Sequence, residues 1–322
     1  MTYGEWYRWG KERLESAAIP EAELDARLLL EHVCGTNRND LLVRGDRLLG
    51  VREQALYEEL IAARGRRIPL QQLTGTQEFM GLAFSVDEHV LIPRQDTEIL
   101  VEEALRNLHD GMRVLDLCTG SGCILISLLH YSNDCEGVGT DISREALEVA
   151  RRNGEKLLGP SVCSWRQDPE SGSGEREERF PYDDFGKCDR TERNQAAVRD
   201  GRKRISFVEC DLFGKAEGMF DMIVSNPPYI PKKVIHTLMP EVREHEPVIA
   251  LDGGEDGLFF YRKIAGEARS HLCGGGMLFL EIGYDQAEDV RGLMEQAGFL
   301  EINVVKDYAG LDRVVYGTLG FS

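Results

Sequence analysis

Phe220-Asp221-Met222-Ile223-Val224-Ser225-Asn226-Pro227-Pro228-Tyr229 reads as a buried strand that runs into a rigid corner. Two consecutive prolines cannot donate to a sheet ladder, and they bias the residue before them toward extended geometry, so the strand stops sharply at Asn226. A stop of this kind marks the carboxyl end of a sheet strand, the edge where open α/β folds place their ligands. The corner offers an amide side chain, bare carbonyls and an aromatic face. Those groups can grip a planar NH2-bearing substrate while a methyl group is delivered to its nitrogen. Taken alone, Asn-Pro-Pro is an ordinary strand-ending turn. The rest of the chain has to decide.

On either side of this strand the chain alternates strands and helices from Met112 onward, which predicts a mostly parallel α/β sheet. The other candidate strands are Arg113–Leu117, Gly137–Asp141, Ile205–Glu209 and Met277–Ile282, with a closing pair, Leu300–Val305 and Arg313–Thr318, expected as an antiparallel hairpin at the edge. Upstream, residues 1–71 carry helical periodicity, over Glu5 to Ala17, from Pro20 as a first helical residue to Cys34, and over Val51 to Arg64. They read as a small helical bundle that docks the substrate. Residues 72–95 read as a β-hairpin linker with Gly81 near its turn, and 96–322 as the main domain. Residues 159–204 are polar and mixed in charge where a few residues would suffice, so they read as a mobile surface insertion, Trp165 and Phe180 notwithstanding.

A hydrophobic fraction of 42% and a charged fraction of 29% belong to an ordinary soluble protein. No apolar run reaches membrane-spanning length and the start lacks a signal-peptide pattern, so a cytoplasmic protein without membrane contact is expected. The eight cysteines are scattered with no Cys-x-x-Cys pair, which argues against zinc and against a disulfide framework; no metal is expected. A net charge of −18 weighs against a nucleic-acid partner and favours a small-molecule or protein substrate.

Three further strand ends bear on chemistry. After the strand Arg113–Leu117 comes Cys118-Thr119-Gly120-Ser121-Gly122, a glycine-bearing loop ahead of an apolar helix, where a nucleoside can approach the backbone. Leu125 stands where a G-x-G-x-x-G fingerprint needs glycine, which disfavours a pyrophosphate site. Asp141 ends the next strand, placed to accept both hydroxyls of a ribose. Asp211 and Leu212 end the third, suited to an adenine's exocyclic amine and ring. Each is more often structural when alone, but three in succession followed by Asn226–Tyr229 are hard to explain as turns.

Together these runs resemble class I S-adenosylmethionine-dependent methyltransferases acting on a planar amine or amide nitrogen. Further runs narrow the resemblance: Leu91-Ile92-Pro93-Arg94-x-Asp96-Thr97-Glu98, Glu246-Pro247-x-x-Ala250-Leu251-x-Gly253-Gly254-x-Asp256-Gly257-Leu258, Leu280-Glu281-Ile282-Gly283 and Asp307-x-x-Gly310-x-Asp312-Arg313. With the helical N-terminus they resemble the HemK/PrmC family of protein-(glutamine-N5) methyltransferases, over nearly the whole chain outside 159–204. The resemblance implies a Rossmann-like seven-stranded sheet with a small N-terminal helical domain. It implies S-adenosyl-L-methionine as cofactor and, as partner, a peptide chain release factor methylated on the glutamine of its Gly-Gly-Gln motif. Cys118 to Gly122 would then line the cofactor's methionine part, Asp141 its ribose, and Asp211 with Leu212 its adenine. Cys118 replaces a glycine common in the family, and Leu212 is aliphatic where an aromatic can occur. At the corner, Asn226 and the Pro227 carbonyl would each accept one N–H of the acceptor amide, Pro228 would stiffen the turn, and Tyr229 would pack on the amide plane. A nucleic-acid amino methyltransferase, acting on adenine N6 or guanine N2, uses a similar corner and is the alternative. Arg94 reads equally as an active-site or interdomain residue and as one half of a surface ion pair; His236 and His245 read as structural.

Overall fold

The computed structural model describes residues 1–160, 163–165 and 204–321. Most of the expected mobile insertion lies outside the described residues. Five helices come first: α1 (Tyr3–Ser16), α2 (Ala22–Cys34), α3 (Arg38–Val43), α4 (Val51–Gly65) and α5 (Leu70–Thr74). They bury their own core, in which Leu14, Leu29, Leu30, Tyr57 and Ile61 meet. Pro20 does not open α2 as expected. Ala18 takes a left-handed φ of 54° and the Ile19 N–H returns to the Leu14 carbonyl, so Pro20 falls in the turn and the helix starts at Ala22. The hairpin follows as β1 (Thr76–Phe79) and β2 (Leu82–Ser85), antiparallel. Met80 (φ 49°) and Gly81 (φ 69°) supply the two left-handed residues that a tight two-residue hairpin turn requires.

Behind α6 (Gln95–Asn107), the chain builds β3 (Arg113–Leu117), α7 (Cys123–His130), β4 (Glu136–Asp141), α8 (Arg144–Leu158), β5 (Cys163–Trp165), β6 (Arg204–Glu209), β7 (Phe220–Ser225), β8 (Leu272–Glu281), β9 (Phe299–Lys306) and β10 (Asp312–Leu319). The seven expected strands lie in one sheet of order β5-β6-β4-β3-β7-β8-β10-β9. The short strand β5, inside the segment expected to be an insertion, pairs parallel to β6 and extends the edge to eight. Among the described strands of this sheet, β10 alone has the reversed direction, antiparallel to both β8 and β9.

The sheet is covered on both faces, as a parallel sheet must be. Along β3, Val114 points into a core shared with α6, α7 and α8. Leu115 and Leu117 point into one shared with the helices Phe259–Ala268 and Ala287–Gln296. β3 is flanked by β4 on one side and β7 on the other, and the chain fills the sheet outward from it in both directions. At this switch in strand order Leu117 pairs with Ser225, so a crevice opens beyond these two strand ends.

Candidate active site

A cleft of about 330 Å³ occupies that crevice. Cys118, Thr119, Gly120, Ser121, Asp141, Asp211, Leu212, Asn226 and Pro228 all contribute to its wall. The fold thus gathers four separate strand ends, from β3, β4, β6 and β7, at one place. Gly122, Pro227 and Tyr229 are not among the lining residues. A Cβ on Gly122 would lie 2.8 Å from Ile126 Cδ1 and 3.2 Å from Ala150 Cβ, so this glycine lets α7 pack against α8.

The first loop is held by its own polar side chains. The Thr119 hydroxyl donates to Asp116 Oδ2 (2.6 Å), and the Thr119 amide donates to the Thr140 carbonyl (2.9 Å). Asn153 of α8, fully buried, donates to the carbonyls of Ser121 (2.9 Å) and Ser85 (3.0 Å), tying the loop to the hairpin. Cys118 sits at φ 57° and Leu212 at φ 49°, a conformation that costs a residue with a side chain about 1–2 kcal/mol. Burial, reinforced by the nearby Asp141 and Asp116 carboxylates, pushes the Cys118 thiol well above its ordinary range and keeps it protonated.

Asp141 accepts from the Gly120 amide on Oδ2 (2.9 Å) and from the Ser143 amide on Oδ1 (2.9 Å). Burial raises its pKa while these backbone donors oppose the shift. Asp211 is held by Lys263, Nζ to Oδ2 3.0 Å.

The Asn226 corner is braced from behind. A Cβ on Gly253 would lie 2.7 Å from the Tyr229 Cα, and one on Gly257 would lie 2.4 Å from the Tyr229 carbonyl oxygen. Only glycine fits at either place. Gln286 Nε2 donates to that same carbonyl (3.1 Å) and to the Gly257 carbonyl (3.3 Å). The Tyr229 hydroxyl donates to Glu281 Oε1 (3.4 Å), so this ring braces the corner, where the sequence suggested a face against the acceptor. Asn226 Nδ2 donates to Thr97 Oγ1 (3.3 Å), which leaves Oδ1 as the end of the amide without a partner among the described residues.

Thr97 and Glu281, to which the sequence assigned no role, and Arg94, whose role it left open, come to the site here. Thr97 and Arg94 line the cleft. Arg94 forms a bidentate pair with Glu246, Nη2 to Oε1 2.7 Å and to Oε2 2.6 Å. Arg94 thus lines the cleft and also forms an ion pair, with its own side chain 41% exposed and that of Glu246 buried, so both sequence readings stay open. Glu281 stands behind the wall. All three lie in runs that had been singled out, but their contacts are long-range and no spacing within one run announces them.

Residues 5–75 match the family model of the PrmC N-terminal domain, and residues 108–166 match a methyltransferase domain model. The release factor glutamine methyltransferase of Geobacter sulfurreducens is 38% identical over 313 residues, 97% of this chain and 95% of that protein. That of Caulobacter vibrioides is 37% identical over 310 residues, 95% of this chain and 93% of that protein. The chain belongs to the release factor glutamine methyltransferase family. Among solved structures, the hMettl16 catalytic domain in complex with an RNA hairpin superposes with a TM-score of 0.50 at 13% identity, covering 80% of this chain and 81% of that chain, a likeness of fold.

As a member of this family the protein is a class I methyltransferase that uses S-adenosylmethionine, and the residues of the cleft suit that molecule. A Cβ on Gly120 would meet nothing within 4 Å, so the loop leaves open space beside the cleft wall. Asp141 has both oxygens anchored by amides, leaving its remaining lone pairs for a diol. No helix among the described residues is long and apolar enough to cross a membrane.

Proposed function

We propose that this enzyme methylates the side-chain amide nitrogen, N5, of the glutamine in the Gly-Gly-Gln motif of class 1 peptide chain release factors. The observation that carries this reading is the Asn226 amide, tethered through Nδ2 to Thr97 at the cleft wall. An Oδ1 without a partner among the described residues matches a primary amide, which has two N–H donors to place. S-adenosylmethionine supplies an electrophilic methyl group on a sulfonium. Cys118 to Gly122 would hold its methionine part, Asp141 its ribose, and Asp211 with Leu212 its adenine.

An amide nitrogen is a poor nucleophile because its lone pair is delocalised, so positioning and electrostatics are the help it needs. Asn226 Oδ1 accepts one N–H of the acceptor at the cleft wall. The Pro227 carbonyl, which stands outside that wall between Asn226 and Pro228, would accept the other once the acceptor is seated, drawing the hydrogens to one side and turning the lone pair outward. Pro228 and the braced Tyr229 keep both acceptors rigid. No general base is required, since the surplus proton leaves after transfer.

Residues 1–71 dock the protein substrate in this account. Leu42, Val43, Leu48 and Val51 stand 71–83% exposed there, an apolar surface of the kind that partners cover. Residues 72–95 link this bundle to the catalytic domain 96–322. The net charge of −18 favours such a partner over a nucleic-acid backbone, and a release factor substrate implies work in the cytoplasm. Tritiated S-adenosylmethionine offered with release factor, with its glutamine-substituted variant and with duplex DNA tests the assignment. Label on the unsubstituted factor alone is the expected result; label on DNA would turn the assignment to a nucleobase.

A further inference from the structure

Adenine is a flat aromatic ring system, and a site that holds it covers the two faces, best with another aromatic ring. At the Asp211 end of the cleft, Leu212 brings no such ring. It is aliphatic, 6% exposed and held at φ 49°, so it offers little surface to a base. Two other apolar side chains that line the same cleft stand open to solvent, Ile142 at 54% and Phe259 at 48%. Ile142 directly follows Asp141 at the end of β4. Phe259 is the first residue of the helix Phe259–Ala268.

The local structure fixes Phe259 at the cleft. Its amide donates to the Gly253 carbonyl (3.2 Å), within the segment that braces the Asn226 corner. Gly254, at φ 87°, makes room for it, since a Cβ there would lie 3.1 Å from the Phe259 Cβ. The Phe260 ring meets the Phe259 ring edge-on, with centroids 5.1 Å apart. One helical turn on, Lys263 Nζ lies 5.2 Å from the centroid of the Phe259 ring and 3.0 Å from Asp211 Oδ2. A single ammonium thus touches both the ring and the carboxylate, which sets Phe259 at the Asp211 end. An exposed phenylalanine on an open surface needs no explanation. One that lines a ligand cleft beside a polar group able to orient the ligand is a contact surface.

We propose that Phe259 is the residue that stacks on the adenine of S-adenosylmethionine, with Ile142 covering the other face and Lys263 holding the ring and Asp211 in register. The proposal rests on the assignment of Asp141 and Asp211 to the cofactor's nucleoside. It goes beyond that assignment by giving the ring contact, which Leu212 cannot make, to a helix that follows β7. The two can fail separately.

Calorimetric titration of the full chain with S-adenosylhomocysteine reads the contact without turnover. Phe259→Ala should weaken binding roughly tenfold, in the range that stacking of a base on an aromatic side chain supplies. Phe259→Tyr keeps the ring and should hold the Kd within about twofold. Phe259→Trp puts an indole at the same place, and its emission should be quenched by the ligand beyond any change in the wild type. That signal decides the matter if Phe259→Ala fails to fold. A Kd for Phe259→Ala within about twofold of wild type, or an unquenched Phe259→Trp that binds the ligand, would overturn the inference. A raised KM for release factor with an unchanged Kd would overturn it too, because the ring would then serve the protein substrate. In each of these cases a weakened Asp141→Ala leaves the cofactor assignment standing. Unchanged binding in both Asp141→Ala and Phe259→Ala would overturn both.

Discussion

Asp141 was legible as a candidate for the ribose because it ends a strand about 20 residues after the glycine loop, a spacing with a geometric meaning. The cleft-wall position adds that its two oxygens are already anchored by the Gly120 and Ser143 amides. Asp141→Ala should therefore weaken S-adenosylmethionine binding about 10- to 100-fold, from the ~1.5–3 kcal/mol attached to hydrogen bonds with a charged group; calorimetric titration measures it. Asp116 is a different kind of acid. It is fully buried, and burial pushes it up to about 7 although Thr119 donates to it. The folded protein then keeps a proton that the unfolded chain has lost between about pH 4 and pH 7, so this residue lowers stability as pH rises through that window. Asp116→Asn should remove that share of the slope, seen as a smaller loss of urea stability between about pH 5 and pH 8 than in wild type. Thr97 and Glu281 were quoted in the sequence without a role. Thr97 reaches Asn226, and Glu281 reaches Tyr229, only because α6, β7 and β8 pack together, and side-chain period within one element does not report that.

At the scale of elements, the strand-and-stop pattern of Phe220–Tyr229 predicted β7 to the residue, because Pro227 and Pro228 end it chemically. The start of β8 was placed too late: the strand was expected from Met277, whereas it runs from Leu272 through Gly274, Gly275 and Gly276 with a register shift against β7. Glycines mark bulges as readily as turns, and only pairing with β7 distinguishes them. The corner after β7 also depends on chain that follows it by more than twenty residues. Gly257 sits at φ 78° with the Tyr229 carbonyl where a Cβ would go. Gly257→Ala should cost roughly 1–3 kcal/mol from backbone strain alone, read as a lower melting temperature. It should also reduce methyl transfer, because the brace on the corner is displaced.

Across the whole molecule, the helical bundle is fastened to the segment that follows the corner. Arg64 of α4 donates to Asp25 (2.7 Å) and to Glu241 (3.1 Å), and Arg67 donates to the same Glu241 oxygen (3.2 Å). Gln72 Nε2 adds a bond to the His245 carbonyl (2.8 Å). The helices were legible from periodicity, but the ion pairs to Glu241 join residues more than 170 positions apart and had no local signature. If the exposed apolar surface at Leu42 and Val43 docks the substrate, the double substitution Leu42→Asp and Val43→Asp should raise KM for release factor about tenfold or more while kcat and cofactor affinity hold. Steady-state kinetics with release factor varied at saturating cofactor separates these terms.

The central claim, that the Asn226 corner directs a methyl group onto a release factor glutamine, is tested most directly by tandem mass spectrometry of the Gly-Gly-Gln peptide. The release factor is incubated with S-adenosylmethionine and either the wild-type enzyme or Asn226→Ala. The account expects a single methyl group on the glutamine side chain from the wild type and an unmodified peptide from the variant. An unmodified peptide from a wild-type enzyme that binds its cofactor, or equal modification by both proteins, would contradict it.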